Sequence, residues 1–371
     1  MRILQVFRAP VGGLFRHVYD LAKAQSELGH EVAVICDANT GGEMAADRLK
    51  EMQGFCSLGV KRIEMSRLPG LGDAISARRV GEFGKNKGFD IIHGHGAKGG
   101  AYARFAAGSI GAKAIYTAHG GALHYAWNSV PGALFLGVER MLMARTDGLV
   151  FVCDYERKTF DEKIGIGSVA STVVHNGLWP QEFKAVELVE KPSDILFIGE
   201  LRQLKGVDVL LKAIAQQASP TSATMVGDGP DRQEFEDLAK QLGLSDRVVF
   251  TGAMPAQDAF GLGRLMVVPS RAESFPYIVL EAIAAHKPLI ASNVGGIGEV
   301  LSDEHMVAAD DVDALAASIK NYLDDPSAAE RAAHESASYL QQHKSARHMA
   351  DQICAFYRQC LESAASCSNA A

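Results

Sequence analysis

Two acids, Glu273 and Glu281, bracket the stretch Glu273-Ser-Phe-Pro-Tyr-Ile-Val-Leu-Glu281. The first follows an apolar run, Leu265-Met-Val-Val-Pro269, so it belongs to a loop at a strand's end. The second lies in a segment, Tyr277 to Ala285, that is otherwise almost wholly apolar. Pro276 suits a helix start, where its missing N–H would lack a partner anyway. A buried carboxylate is costly unless paired, so Glu281 is expected to hold something polar. A second cluster, Gly199-Glu-Leu-Arg-Gln-Leu-Lys205-Gly206, places Arg202 and Lys205 between a strand and the next helix. Helix amino ends favour anions, and a diphosphate is the expected guest. His119, in Thr117-Ala-His-Gly-Gly121, stands in a glycine-flanked loop at another strand's end. That position suits an active-site imidazole, although a polar loop histidine without a task fits the residues as well.

Other candidates carry less. Gly12 and Gly13, in Pro10-Val-Gly-Gly-Leu-Phe15, allow a backbone to approach a ligand or simply turn. They lack the three-glycine dinucleotide fingerprint, which argues against a nicotinamide dehydrogenase. His93 and His95 alternate on a strand and could face one metal, but no third ligand has suitable spacing in the sequence. Asp310-Asp311-Val-Asp313 and Asp228-Gly-Pro-Asp231 read as helix caps and turns rather than metal clusters. Arg62, Arg67, Arg78, Arg79, Lys85 and Lys87 are interleaved with Leu68, Leu71, Ile75 and Phe83. A solvated face accounts for that cluster better than a membrane patch. Phe135, Leu136, Met141 and Leu142 read as a plain core helix.

These loops need a scaffold. A chain of 371 residues exceeds what one core usually supports, which suggests two domains. With 47% hydrophobic and 22% charged residues it is an ordinary soluble globular composition. Six cysteines without a Cys-x-x-Cys pair indicate reduced thiols, not disulfides or a zinc ribbon. Neither a leader peptide nor a bilayer-length apolar stretch is visible, so a cytoplasmic location is expected. Net charge is −7, split as +4 over residues 1–177 and −11 over the remainder. A mildly basic first half can face an anionic surface, but the acidic total argues against nucleic acid.

Short apolar runs alternate with helical segments from Ile3–Phe7 to Ser171–Val174. The rhythm breaks at His175-Asn-Gly-Leu-Trp-Pro180 and restarts at Asp194-Ile-Leu-Phe-Ile198. The predicted class is α/β, with two doubly wound, parallel-sheet Rossmann-like domains over 1–177 and 178–345. A final helix, within 346–371, carries Met349, Ile353, Phe356 and Leu361 in near-helical spacing and should pack on the chain. The last residues, Ala364 to Ala371, are expected to fray. Ligands of parallel sheets bind beyond the strands' carboxyl ends, so the cleft between two such domains is the expected site.

The Glu–seven residues–Glu spacing resembles the signature of retaining family 4 (group 1) glycosyltransferases of the GT-B fold. Val11-Gly-Gly-Leu-Phe-Arg-His-Val18, Asp90-Ile-Ile-His-Gly-His95, Val174-His-Asn-Gly-Leu178, Val226-Gly-Asp-Gly-Pro230, Asp246-Arg-Val-Val-Phe-Thr-Gly252 and Asn293-Val-Gly-Gly-Ile297 fit it in the family's order. The resemblance implies a final helix that returns to the first domain. It implies that Arg202 and Lys205 neutralise a donor diphosphate, that Glu281 binds ribose and that Glu273 binds the donor sugar. Ser274 and Phe275 would complete that loop, and His119 would sit beside the transferred sugar. Gly12 and Gly13 would lie near phosphates or acceptor, and Thr251 and Gly252 near the base. Pro276 departs from the family pattern and offers no N–H there. The implied activity moves a hexose-type sugar from a UDP- or GDP-sugar to an acceptor hydroxyl without a metal or other cofactor. A glycan or lipid-linked acceptor and peripheral membrane contact follow from the same resemblance. A nucleotide-sugar isomerase or epimerase of similar fold, or a non-catalytic nucleotide-sugar binder, are the competing readings.

Overall fold

The computed structural model describes residues 1–218 and 220–368, without the side chains of 44 and 364–368. The end expected to fray, with Cys367, falls outside the described side chains. The chain divides into two units: Met1–Asn176 with the segment from Ala346 onward, and Gly177–Ser345.

The first unit alternates strictly. Strand β1 (Arg2–Phe7) leads to α1 (Gly12–Glu27), β2 (Glu31–Asp37), α2 (Gly42–Phe55) and β3 (Gly59–Ile63). Then come α3 (Gly72–Gly84), β4 (Ile91–His95), α4 (Gly96–Ile110) and β5 (Lys113–Thr117). Helix α5 (Val130–Leu142), β6 (Gly148–Phe151), α6 (Asp154–Lys163) and β7 (Ala170–Val173) complete the series. The seven strands are parallel in the order β3-β2-β1-β4-β5-β6-β7. Ile3, Leu4, Val6, Ile91 and Ile92 are fully buried, because helices cover both faces of the central strands. The order reverses between β1 and β4, which makes the carboxyl ends of those two strands the natural ligand edge.

The second unit repeats the plan. It contains β8 (Ser193–Ile198), α7 (Val207–Ala215), β9 (Ala223–Val226), α8 (Arg232–Gln241) and β10 (Val248–Gly252). After α9 (Ala256–Ala259) and β11 (Gly263–Val268) come α10 (Tyr277–Ala284), β12 (Leu289–Ser292) and a two-residue β13 (Met306–Val307). Helices α11 (Val312–Asp324) and α12 (Pro326–His343) close the unit. The sheet order is β10-β9-β8-β11-β12-β13, all parallel, with the reversal between β8 and β11.

Helix α13 (Ala346–Ser368) belongs to the first unit, where it packs on α1, β5 and β6. Met349, Ile353, Phe356, Tyr357 and Cys360 form its buried face. Gly148 lets it come close: a Cβ there would lie 2.9 Å from both Cys360 Sγ and a Phe356 ring carbon. The five described cysteines are buried and form no disulfide. Burial pushes the Cys36 and Cys56 thiols up to about 12 and those of Cys354 and Cys360 to about 11, so all four are protonated at neutral pH. Among the described residues no helix is long and apolar enough to cross a membrane.

Candidate active site

In the second unit the chemistry gathers at the sheet's reversal. Lys205 follows β8 and Glu273 follows β11, and Lys205 Nζ donates to Glu273 Oε1 at 2.6 Å. Ser270 Oγ donates to the same oxygen at 2.8 Å. Arg271, which the sequence reading did not single out, organises the loop. It grips both oxygens of Asp208 at 2.8 and 2.9 Å, pairs with Asp310 at 2.7 Å and donates to the Gln203 carbonyl. A fork-shaped guanidinium with two oxygens of one carboxylate fixes geometry as well as charge. Its only advance signal is an arginine two residues before Glu273.

Glycines bring the surrounding backbones together. A Cβ on Gly206 would lie 1.9 Å from the Pro269 carbonyl, and one on Gly295 would lie 2.2 Å from that of Glu273. The loops after β8, β11 and β12 therefore touch backbone to backbone. Ser274 accepts from Gly296 N through its carbonyl, and Phe275 is buried beneath. Arg202 is half-exposed, 4.0 Å from Glu200. Glu281 is half-buried in the second turn of α10, whose preceding cap residue is Pro276. Thr251 and Gly252 end β10, where Gly227 N donates to the Gly252 carbonyl.

Of the two acidic clusters read as caps, one behaves differently. Asp231 precedes α8 but makes no capping bond; it accepts instead from Gln203 N at 2.7 Å and so steadies the Arg202–Lys205 loop. Asp311 does cap α11, through Ala314 N.

The first unit assembles imidazoles. Gly12 opens α1 with a φ of 66°, and both Gly12 and Gly13 are exposed. His119 sits in the loop after β5 with a left-handed φ of 51°, uncommon for a residue with a Cβ. Glu156 ties that loop down: its carboxylate accepts from Gly120 N at 2.6 Å and from Val152 N at 3.0 Å. The His119 ring meets His17, with ring centres 4.7 Å apart. Its Nε2 lies 3.0 Å from His95 Nδ1.

Amide partners set the tautomers. Gln5 donates to Gln25 through Nε2, so its Oε1 accepts from His95 Nε2 at 2.7 Å. His95 Nδ1 then carries a lone pair and accepts from His119 Nε2. That leaves Nδ1 of His119 as an acceptor nitrogen. Asn176 Oδ1 likewise accepts from His17 Nδ1 at 2.8 Å, while the buried Nε2 of His17 makes no hydrogen bond.

Burial holds His17 down to about 4, against the opposing bond from Asn176. Burial and the neighbouring imidazoles hold His95 and His119 well below the ordinary range. The cluster is neutral at neutral pH.

One nitrogen from each of His17, His95 and His119 lies within 4.8 Å of the others. A divalent cation could sit there, provided that each ring turned a lone pair toward it. His95 thus finds two partners instead of His93: His17 from helix α1 and His119 from the loop after β5. His93 is turned elsewhere, to Tyr357 at 2.6 Å and Thr117 at 2.8 Å. His17 escaped notice because it stands among helix-face residues with no spacing of its own.

Two parallel α/β units, each with its reactive side chains at the carboxyl edge of the sheet, define the GT-B architecture. Sucrose-phosphate synthase from Thermosynechococcus elongatus superposes with a TM-score of 0.82 at 21% identity, over 98% of this chain and 100% of its own. Anabaena HepE, solved in complex with UDP-glucose, superposes with a TM-score of 0.81 at 19% identity, over 97% and 100%. In sequence, glycogen synthase of Mycobacterium tuberculosis H37Rv is 29% identical over 90% of this chain and 88% of its own length. The model of glycosyl transferases group 1 matches residues 180–339, and that of glycosyltransferase family 4 matches 11–181. The chain belongs to the group 1 (family 4) glycosyltransferases.

Proposed function

We propose that the protein transfers a hexose-type sugar from a UDP- or GDP-sugar to an acceptor hydroxyl, with retention at the anomeric carbon. The observation that carries this reading is the Lys205–Glu273 contact at the reversal of the second sheet. A cation and a hydroxyl-binding acid side by side suit a diphosphate joined to a sugar. Lys205 and Arg202 would neutralise the diphosphate, Glu273 would hold sugar hydroxyls and Glu281 those of ribose. Ser274 and Phe275 would shape the loop, while Thr251 and Gly252 would face the base. Gly12 and Gly13 would lie by the phosphates or the acceptor, and His119 Nδ1 would accept from a sugar hydroxyl.

In the step itself, the bond from the anomeric carbon to the phosphate oxygen breaks and one to the acceptor oxygen forms. The acceptor's proton passes to a phosphate oxygen, and the nucleoside diphosphate leaves. Negative charge grows on the leaving diphosphate, where fixed cations stabilise it most. With two side-chain cations in that role no metal cofactor is required. HepE, named above with UDP-glucose, and the transferase names among the relatives support transfer over isomerisation or mere binding.

Melting the full chain with UDP-, GDP- and ADP-sugars tests the reading. A donor at about 100 times its Kd should add about 2.7 kcal/mol of stability. Turnover of that donor should persist in a chelator. No stabilisation by any of these sugars would refute the assignment.

A further inference from the structure

The first unit contains a half-open cavity of about 1110 Å³ between α3, α4 and α5. That exceeds the range of about 300–1000 Å³ usual for a small-molecule site. Its floor is one face of α4, with Ala97, Ala101, Phe105 and Ser109 at four-residue steps. At 1.5 Å per residue this floor runs about 18 Å. Ala74, Ala77 and Gly81 of α3 form one wall, and Leu134, Phe135 and Val138 of α5 the other. Most of these side chains offer no hydrogen-bond partner, so a glycan laid there would lose its water without replacement.

Helix α5 is not the plain core helix that its sequence suggests. Leu136 and Leu142 are buried, but Val130, Leu134, Val138 and Met141 are 86, 55, 38 and 60% exposed along one stripe. Leu68 and Leu71, just before α3, are 74 and 95% exposed. Exposed apolar side chains grouped along one helix face mark an interaction site.

Charge orients the groove. At the end lined by His95 and His119 stand Arg8, Arg67 and Lys98, from the carboxyl edge of the sheet and the first turn of α4. The acids of the lining are engaged: Asp73 by Lys98 and Tyr102, Glu82 by Arg78, Glu139 by Arg104 and Tyr116. Arg8, Arg67 and Lys85 make no ion pair among the described residues, so the groove carries excess positive charge.

From this geometry we infer that the groove binds a lipid-borne acceptor: one extended hydrocarbon chain headed by a phosphate or diphosphate that carries the accepting sugar. The chain lies along α4, and the anionic head sits by Arg8, Arg67 and Lys98, next to His119. This deepens the transferase reading and rests on it.

Titration of the full chain with farnesyl phosphate tests it, in parallel with a nucleotide-sugar titration that reads the second unit alone. Farnesol and inorganic phosphate should each bind at least tenfold more weakly than farnesyl phosphate. Ala101→Trp, which fills the floor, and the surface pair Leu134→Glu with Val138→Glu should each weaken farnesyl phosphate at least tenfold. Neither should alter nucleotide-sugar binding or slow donor hydrolysis. The inference is overturned if these variants bind farnesyl phosphate like the parent chain, or if inorganic phosphate binds as tightly. It is also overturned if the nucleotide sugar binds and farnesyl phosphate does not. Loss of nucleotide-sugar binding in the parent chain would instead strike the transferase reading.

Discussion

At the scale of single residues, the reactive groups are held by neighbours with no reactive part of their own. Arg271 aims the loop that carries Lys205, and Glu156 holds the His119 loop in a left-handed turn. Removing both cations by Arg202→Ala with Lys205→Ala should lower turnover by at least the ~10²–10³-fold typical of one lost preorganised contact. Steady-state kinetics on the folded variant would show it, and unchanged turnover would refute the phosphate role. The histidines predict a pH effect. Their native pKa values lie below the unfolded value of 6.5, so unfolding takes up protons between the two. Their contribution to stability is therefore full above about 6.5 and falls as pH drops toward about 4. Denaturant midpoints at about pH 7.5 and about pH 5 should show a smaller acid loss in His17→Gln than in the parent chain. An equal loss would mean that His17 is not held neutral. That Lys205, Glu273 and His119 lie beyond strand ends was legible because each follows an apolar run that can only be a strand. His17, Gln5 and Asn176 were not, since an amide that fixes a tautomer leaves no pattern in sequence.

At the scale of elements, helix faces decide what the scaffold can bind. Arg104 of α4 is fully buried, pairs with Glu139 of α5 at 2.7 Å and lies over the Tyr116 ring at 4.0 Å. Gly100 makes room, since a Cβ there would be 2.3 Å from that ring. The pair sets α5 at a fixed place beside the groove. Glu139→Ala leaves a buried guanidinium uncompensated and should cost about 3–5 kcal/mol in denaturant unfolding. A loss below about 1 kcal/mol would mean that water reaches Arg104. The alternation of strands and helices was readable because central parallel strands are continuous apolar runs. The exposed stripe of α5 was not, because an apolar helix bound to a ligand and one bound to a core look alike in sequence. Strand β13, only two residues long, is too short to show a period.

At the scale of the whole molecule, the chain leaves its first unit at Asn176 and re-enters it at Ala346. Each large apolar side chain buried by α13 contributes about 1.5–3 kcal/mol. Ending the chain at Ser345 should therefore raise hydrogen exchange in α1 and β5 while the second unit still binds its nucleotide sugar. Full protection of α1 in that truncation would contradict the packing described. The spacing of the apolar residues in this helix announced that it was amphipathic; that it returns to the first unit was implied by the family resemblance and not by the helix's own residues. The same arrangement bears on synthesis. At 5–20 residues per second, the stretch from Gly177 to Ser345 takes the ribosome on the order of 10–30 s to make. Throughout that interval the nascent first unit presents a greasy flank of α1 to solvent. Its completion waits on the arrival of the last helix, so a chaperone that shields that flank during translation would govern the yield of finished protein.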